Sequence, residues 1–200
     1  MTFHPARRFW DAAYAAGDHL EHWQAPDPAA AVAPLLAPGA VPPAGTVLDL
    51  GCGAGAEAVH LAGRGLRVWG LDLSLTALAL GRHRAGGAGV EVGWLGGDVL
   101  TLPVTGSALD AVLDRGCLHL FDRRWWPAYA REVHRVLAPG GVVLLLGARR
   151  DDEEAGLVGL GAAELDRAFG PLFRRGRPEP IELHAPAGAL PANRVLLRKR

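Results

Sequence analysis

Residues Val47–Gly55, VLDLGCGAG, constrain this 200-residue chain more than any other stretch. Val47, Leu48 and Leu50 give the apolar end of a buried strand. Gly51, Gly53 and Gly55 then remove every second side chain where the backbone must turn into a helix beginning near Ala56. Such a turn lets a ligand approach the backbone amides at a helix start. Its spacing is G-x-G-x-G, which differs from the dinucleotide fingerprint G-x-G-x-x-G, so the residues downstream decide what it serves.

Downstream stand acids at the ends of strand-like segments. Arg67–Leu71 (RVWGL) reads as a second strand ending in Asp72, about twenty residues past the turn, where an acid accepts ribose hydroxyls in nucleotide-binding sheets; Leu73 follows it. Gly97-Asp98-Val99 follows the segment Val90–Leu95 and puts an acid in reach of an adenine amino group. Each acid has a plainer reading, Asp72 as the N-cap of the helix starting near Ser74 and Asp98 as a turn residue. The three parts in order make a nucleotide site the better account.

Along the chain, strands alternate with helices, the pattern of a parallel sheet covered on both faces. Helical spacing is clear in Ala56–Gly63, Leu75–Arg84 and Trp126–Leu137, and strand character in Leu109–Asp114 and Gly141–Leu146. A short helix over Ala163–Phe169 precedes a sixth strand at Ile181–His184. A Pro- and Gly-containing turn over Ala185–Ala192 leads to a seventh strand at Arg194–Leu197.

These residues resemble the class I S-adenosylmethionine-dependent methyltransferases. VLDLGCGAG is similar to their first motif, Asp72 to their ribose-binding acid and Gly97-Asp98 to their adenine-side acid. LDAVLD at Leu109–Asp114 is similar to their fourth strand, and VLAPGG at Val136–Gly141 to the turn before their fifth. The resemblance covers about Thr46 to Gly147. It implies an α/β, three-layer Rossmann-like fold, with a seven-stranded, mostly parallel sheet closed by an antiparallel C-terminal hairpin strand. It implies S-adenosyl-L-methionine as cofactor and S-adenosyl-L-homocysteine as product. The amides of Gly51, Cys52, Gly53 and Gly55, with Asp49, would hold the methionine part, Asp72 with Leu73 the ribose, and Asp98 with Val99 the adenine.

Two flanking regions are expected to carry the acceptor. Residues 1–45 form an N-terminal helical cap to a core over residues 46–200, one domain overall. FWDAAYAAGDHLEHW is similar to the N-terminal segment of thiopurine S-methyltransferases and tellurite-resistance methyltransferases. Trp10 and Trp23 are expected to face the cleft, while Phe9 and Tyr14 read at least as well as packing. After the fourth strand comes DRGCLHLFD, Asp114–Asp122. It lacks the Asn/Asp-Pro-Pro-aromatic sequence of nucleic-acid amino methyltransferases and resembles the same small-molecule branch. Asp114 is a candidate contact to the cofactor or acceptor. Arg115 is a candidate cofactor contact, able to orient an anionic acceptor or to pair with Asp114 or Asp122. His119 is a candidate general base, or a local hydrogen-bonding residue.

Composition narrows the classes. With 21 basic and 21 acidic residues the formal charge is zero, which argues against nucleic acid as partner. No apolar run reaches the roughly 18 residues of a membrane helix, and MTFHPARRFWD has no apolar signal core, so a cytoplasmic monomer or homodimer is expected. The two cysteines, Cys52 and Cys117, read as reduced and without a metal. The reaction expected is in-line methyl transfer to a small molecule, with a thiol or other soft nucleophile favoured because no convincing base pair is present. The alternatives are a non-catalytic S-adenosylmethionine-binding sensor or scaffold, and an NAD(P)-dependent oxidoreductase. The missing G-x-x-G extension and the absence of a Tyr-x-x-x-Lys pair count against the oxidoreductase.

Overall fold

A computed structural model describes residues 5–200. Three helices come first: α1 (Pro5–Ala16), α2 (Asp18–His22) and α3 (Ala29–Leu36). Strands and helices then alternate as β1 (Thr46–Leu50), α4 (Ala56–Ala62), β2 (Arg67–Asp72), α5 (Leu75–Ala88) and β3 (Gly93–Gly96). The second half runs β4 (Leu109–Arg115), α6 (Trp126–Val136), β5 (Leu137–Ala148), α7 (Ala162–Phe169), β6 (Phe173–Arg175), β7 (Glu179–Ala185) and β8 (Gly188–Lys199).

Strands β3, β2, β1, β4 and β5 lie side by side in parallel, and β8 joins β5 antiparallel. β1 pairs with β2 on one edge and with β4 on the other, so the strand order reverses there and a crevice opens beyond the carboxyl ends. Alternation in the strands sorts the apolar side chains into two layers. Val47, Leu113 and Leu144 face α3 and α4 with Val32, Leu35 and Leu61, and Leu48, Val143 and Leu145 face α6 and α7 with Tyr129, Val133 and Phe169. All of these are fully buried, and each of the larger apolar side chains stabilises the fold by about 1.5–3 kcal/mol.

The three-layer α/β architecture agrees with the expectation, and the details differ for physical reasons. Eight strands replace seven because a short strand not expected from the sequence, β6, precedes the expected one at Ile181–His184, which lies within β7; both pair with β8, separated by Gly176-Arg177-Pro178. Pro178 cannot donate to a ladder. The expected turn over Ala185–Ala192 shrinks to Pro186-Ala187, since the ladder pairs Ala185 with Gly188. The third strand starts at Gly93, after Val90. α5 continues past Arg84 to Ala88 and stops where Gly89 takes the left-handed conformation, φ 67°.

One ambiguity of the sequence is settled by hydrogen bonds. The N-cap of α5 is Ser74, whose Oγ accepts from the Ala77 amide at 3.1 Å. Asp72, two residues earlier, accepts from the Ser74 amide at 2.8 Å just before the helix. Among the described residues no helix is long and apolar enough to cross a membrane.

Candidate functional site

The glycine turn after β1 is held by side chains from three distant parts of the chain. Gly51, Gly53 and Gly55 all have positive φ, 63°, 52° and 71°. A Cβ on Gly51 would lie 2.8 Å from Cys117 Cβ, on Gly53 it would strike the Tyr14 hydroxyl, and on Gly55 the Trp94 ring. Trp94, on β3, also fills the places that side chains of Gly70 and Gly81 would take. The missing side chains thus make room for the protein's own groups: the β4 loop, the N-terminal cap and the neighbouring strand.

Above this turn lies a narrow cleft. Asp49, Cys52, Glu57 and Arg115 form its floor and far wall, and Tyr14 and Trp23 its roof. Its volume is about 40 Å³, space for about one water molecule. Trp23 Nε1 donates to the Tyr14 hydroxyl at 3.1 Å, and both rings pack edge-on at 5.7 Å. Trp10 stands behind Trp23 with the same 5.7 Å edge contact and does not line the cleft. The expected roles of Trp10 and Tyr14 are therefore exchanged: Tyr14 forms the roof and Trp10 supports it. Tyr14 sits one helical turn beyond Trp10 on α1, so helical spacing alone could not separate them.

The cleft is rich in buried charge. Asp49 is fully enclosed, and its Oδ2 has no hydrogen-bond partner. Burial, with Glu57, Asp114 and Asp72 nearby, holds its carboxyl well above the usual carboxylate range. Asp72 accepts from the Gly53 amide through Oδ2 and from the Ser74 amide through Oδ1, both at 2.8 Å, which leaves each oxygen a further lone pair. Arg115 pairs with Glu57 at 3.2 Å and donates to the Trp23 carbonyl at 2.9 Å. Its expected partners, Asp114 and Asp122, are not the ones it takes, because alternation along β4 sends Arg115 to the α4 face and Asp114 to the α6 face. Glu57 and His19, whose buried Nδ1 has no partner, are cleft residues that the sequence reading missed. A carboxylate in the first turn of α4, a helix with His60 as its one other polar side chain, was the available signal.

Asp114 and His119 are engaged within the fold. Asp114 accepts from the amides of Cys117 at 2.8 Å and Leu118 at 3.0 Å and from the Tyr129 hydroxyl at 2.6 Å; burial still pushes it up to about 6. His119 Nδ1 accepts from the Ala148 amide at 2.9 Å, and burial, then Arg115, pushes the imidazole down to about 4. Neither side chain has the free, ionisable edge that a general base needs. Asp98 accepts from the Leu100 amide at 2.9 Å and closes a turn. The Val99 side chain is buried in the core beside Leu71 and Leu102, so only its backbone can meet a ligand. Leu73 lies half-buried at the end of β2. Both thiols are free, and burial raises both.

The fold is that of a Rossmann-like methyltransferase, and residues 47–141 match the family model described as a methyltransferase domain. The chain is 38% identical over 105 residues to a demethylmenaquinone methyltransferase of Thermus thermophilus, a match covering 50% of this chain and 46% of that protein. It is 36% identical over 104 residues to norajmaline N-methyltransferase of Rauvolfia serpentina, covering 50% and 35%. The match thus spans less than half the length of these curated relatives. Among solved structures, one described as "Conversion of a Disulfide Bond into a Thioacetal Group during Echinomycin Biosynthesis" superposes with a TM-score of 0.82 at 27% identity, over 97% of this chain and 92% of that one.

Two outcomes follow from this packing. Gly55→Ala lowers stability by about 1–3 kcal/mol, because the new methyl group meets Trp94. Adding Trp94→Leu recovers part of that loss in a chemical-denaturation cycle, whereas strict additivity would mean the two sites do not touch. His119 is neutral in the fold down to about pH 4. The unfolded chain takes up the proton from about pH 6.5, so this group's stabilisation is intact above that pH and is lost as pH falls through the window, by up to about 3 kcal/mol. His119→Gln flattens that part of the stability profile, and an unchanged slope would contradict the assignment.

Proposed function

We propose that the chain is an S-adenosylmethionine-dependent methyltransferase acting on a small molecule. The observation that carries this reading is Asp49, a buried carboxylate with an unpartnered oxygen at the cleft floor, beside a glycine turn and a ribose-type acid. A buried unpaired carboxyl is costly, and a cationic ammonium is the partner it lacks. Asp49 would hold the amino group of the methionine part, the turn backbone at Gly51 and Gly53 would lie along it, and Asp72 would take the ribose through its remaining lone pairs. Asp98 and the Val99 backbone would border the adenine. When bound, S-adenosylmethionine supplies a methyl carbon whose bond to sulfonium breaks as the acceptor's electron pair forms the new bond, leaving S-adenosylhomocysteine.

The chain's own contribution is then position and dryness rather than proton transfer. Asp114 and His119 act as positioning residues that fix the β4 loop. Residues 5–45 act as the cap, with Tyr14 and Trp23 as the parts that shift to admit the donor. The lack of a free base supports a soft, easily ionised acceptor such as a thiol, and the sulfur chemistry in the description of the structural neighbour points the same way. The names of the Thermus and Rauvolfia relatives point to small-molecule acceptors.

Asp72→Ala weakens S-adenosylhomocysteine binding by more than about tenfold in isothermal titration, and unchanged affinity would refute the ribose assignment. Asp49 begins above the usual carboxylate range and ionises as the ammonium arrives, so binding releases a proton. Affinity accordingly rises with pH through the raised range. Titrations in two buffers of different ionisation heat report the release, and Asp49→Asn abolishes it.

A further inference from the structure

The loop that follows β4 has two unlike faces. On the α6 side the chain seals itself: Tyr129 bonds Asp114, and the Val158 amide donates to the His119 carbonyl at 2.7 Å. The Leu160 amide donates to the Ala148 carbonyl at 2.8 Å, and Arg123 clamps Asp151 through two nitrogens. On the opposite side Arg115 is a wall common to two hollows. One is the cleft over the glycine turn, and the other is a chamber of about 310 Å³ between residues 25–31 and β7. The chain runs from one to the other in five residues, since Trp23 and Gln24 line the cleft and Ala25, Pro26 and Asp27 line the chamber.

The chamber is apolar, formed mainly by Ala25, Pro26, Ala30, Ala31, Ile181 and Leu183. Its volume equals roughly ten water molecules and lies at the small end of ligand pockets, about 300–1,000 Å³. Its charges are mostly committed. Arg194 is held by Glu179 at 2.8 Å, and Asp27, Glu182 and His184 stand exposed at the rim, where water screens them. Arg115 is also paired, with Nε facing Glu57 and Nη1 donating to the Trp23 carbonyl, but its Nη2 carries no hydrogen bond to the described residues, whereas every nitrogen of the Arg194 guanidinium does. It offers a permanently charged donor at the point where the apolar chamber meets the cleft.

Resting on the methyl-transfer reading above, we infer that this chamber is the acceptor site and takes a compact apolar molecule of one or two rings whose nucleophilic sulfur or oxygen, as its anion, meets Arg115. The apolar walls bury the rings. The guanidinium favours the ionised nucleophile, which replaces the general base that the site lacks. An amine nucleophile gains nothing from this charge.

The test uses the full-length protein saturated with S-adenosylhomocysteine and titrated calorimetrically with naphthalene-2-thiol, 2-naphthol and 2-naphthylamine. The thiol binds at neutral pH, naphthol tightens as pH approaches its own ionisation, and the amine binds at least about tenfold more weakly than the thiol. Ala30→Trp and Ala31→Trp, which put an indole into the chamber, each weaken thiol binding at least about tenfold and leave S-adenosylhomocysteine affinity within about twofold. The retained donor affinity shows that the variants are folded. Equal thiol binding by wild type and both variants, no thiol binding by the loaded wild type, or equal binding of the amine overturns the chamber assignment alone. Failure of wild type to bind S-adenosylhomocysteine overturns the methyl-transfer reading instead.

Discussion

Close packing around one turn organises this molecule. Gly51, Gly53 and Gly55 each leave a Cβ position that another part of the chain fills: Cys117 from the β4 loop, Tyr14 from α1 and Trp94 from β3. Interiors at crystal-like density do not absorb an extra methyl group without displacement. The turn therefore fixes the loop, the cap and the sheet edge relative to one another, and the cleft is the space left where they fail to meet. In the same left-handed backbone the amides of Cys52, Gly53 and Gly55 donate to the Leu71 carbonyl, Asp72 and the Cys52 carbonyl, which fixes the turn from within.

Charge is the second constraint. Four buried acids, Asp49, Glu57, Asp72 and Asp114, lie about the carboxyl ends of β1, β2 and β4, and each is compensated differently. Asp72 and Asp114 are satisfied by backbone amides and a tyrosine hydroxyl, and Glu57 by Arg115. Glu57 Oε1 has an ion pair but no hydrogen bond, and Asp49 Oδ2 has no hydrogen-bond partner. A buried carboxyl oxygen without a partner is one that a cation can compensate, which is the role proposed for Asp49.

The layered fold was legible in the sequence because the strands are long apolar runs and the helices keep their spacing. The ends of elements were harder to read. The short strand Phe173–Arg175 carried no strand signal before Gly176-Arg177-Pro178, and α5 runs past Arg84 through Gly86 and Gly87, residues of low helical propensity that face open space. At the site, Asp49, Asp72 and Arg115 were legible as chemistry at the ends of strands. Their partners were not. Arg115 turns to Glu57 and Trp23, and His119 to Ala148, through contacts across 29 to 92 residues of chain. Tyr14 and Trp10 exchanged roles for the same reason: both are aromatics on one helix, and only the tertiary position of Gly53 distinguishes them.

A crystal structure of the protein with S-adenosylhomocysteine would decide whether the cleft over the glycine turn is the donor site. The account predicts the ligand's ammonium within hydrogen-bond distance of Asp49, its ribose hydroxyls on Asp72, and Tyr14 and Trp23 displaced from the positions that now fill the cleft. A ligand bound elsewhere, or one in the cleft that touches neither Asp49 nor Asp72, would contradict it.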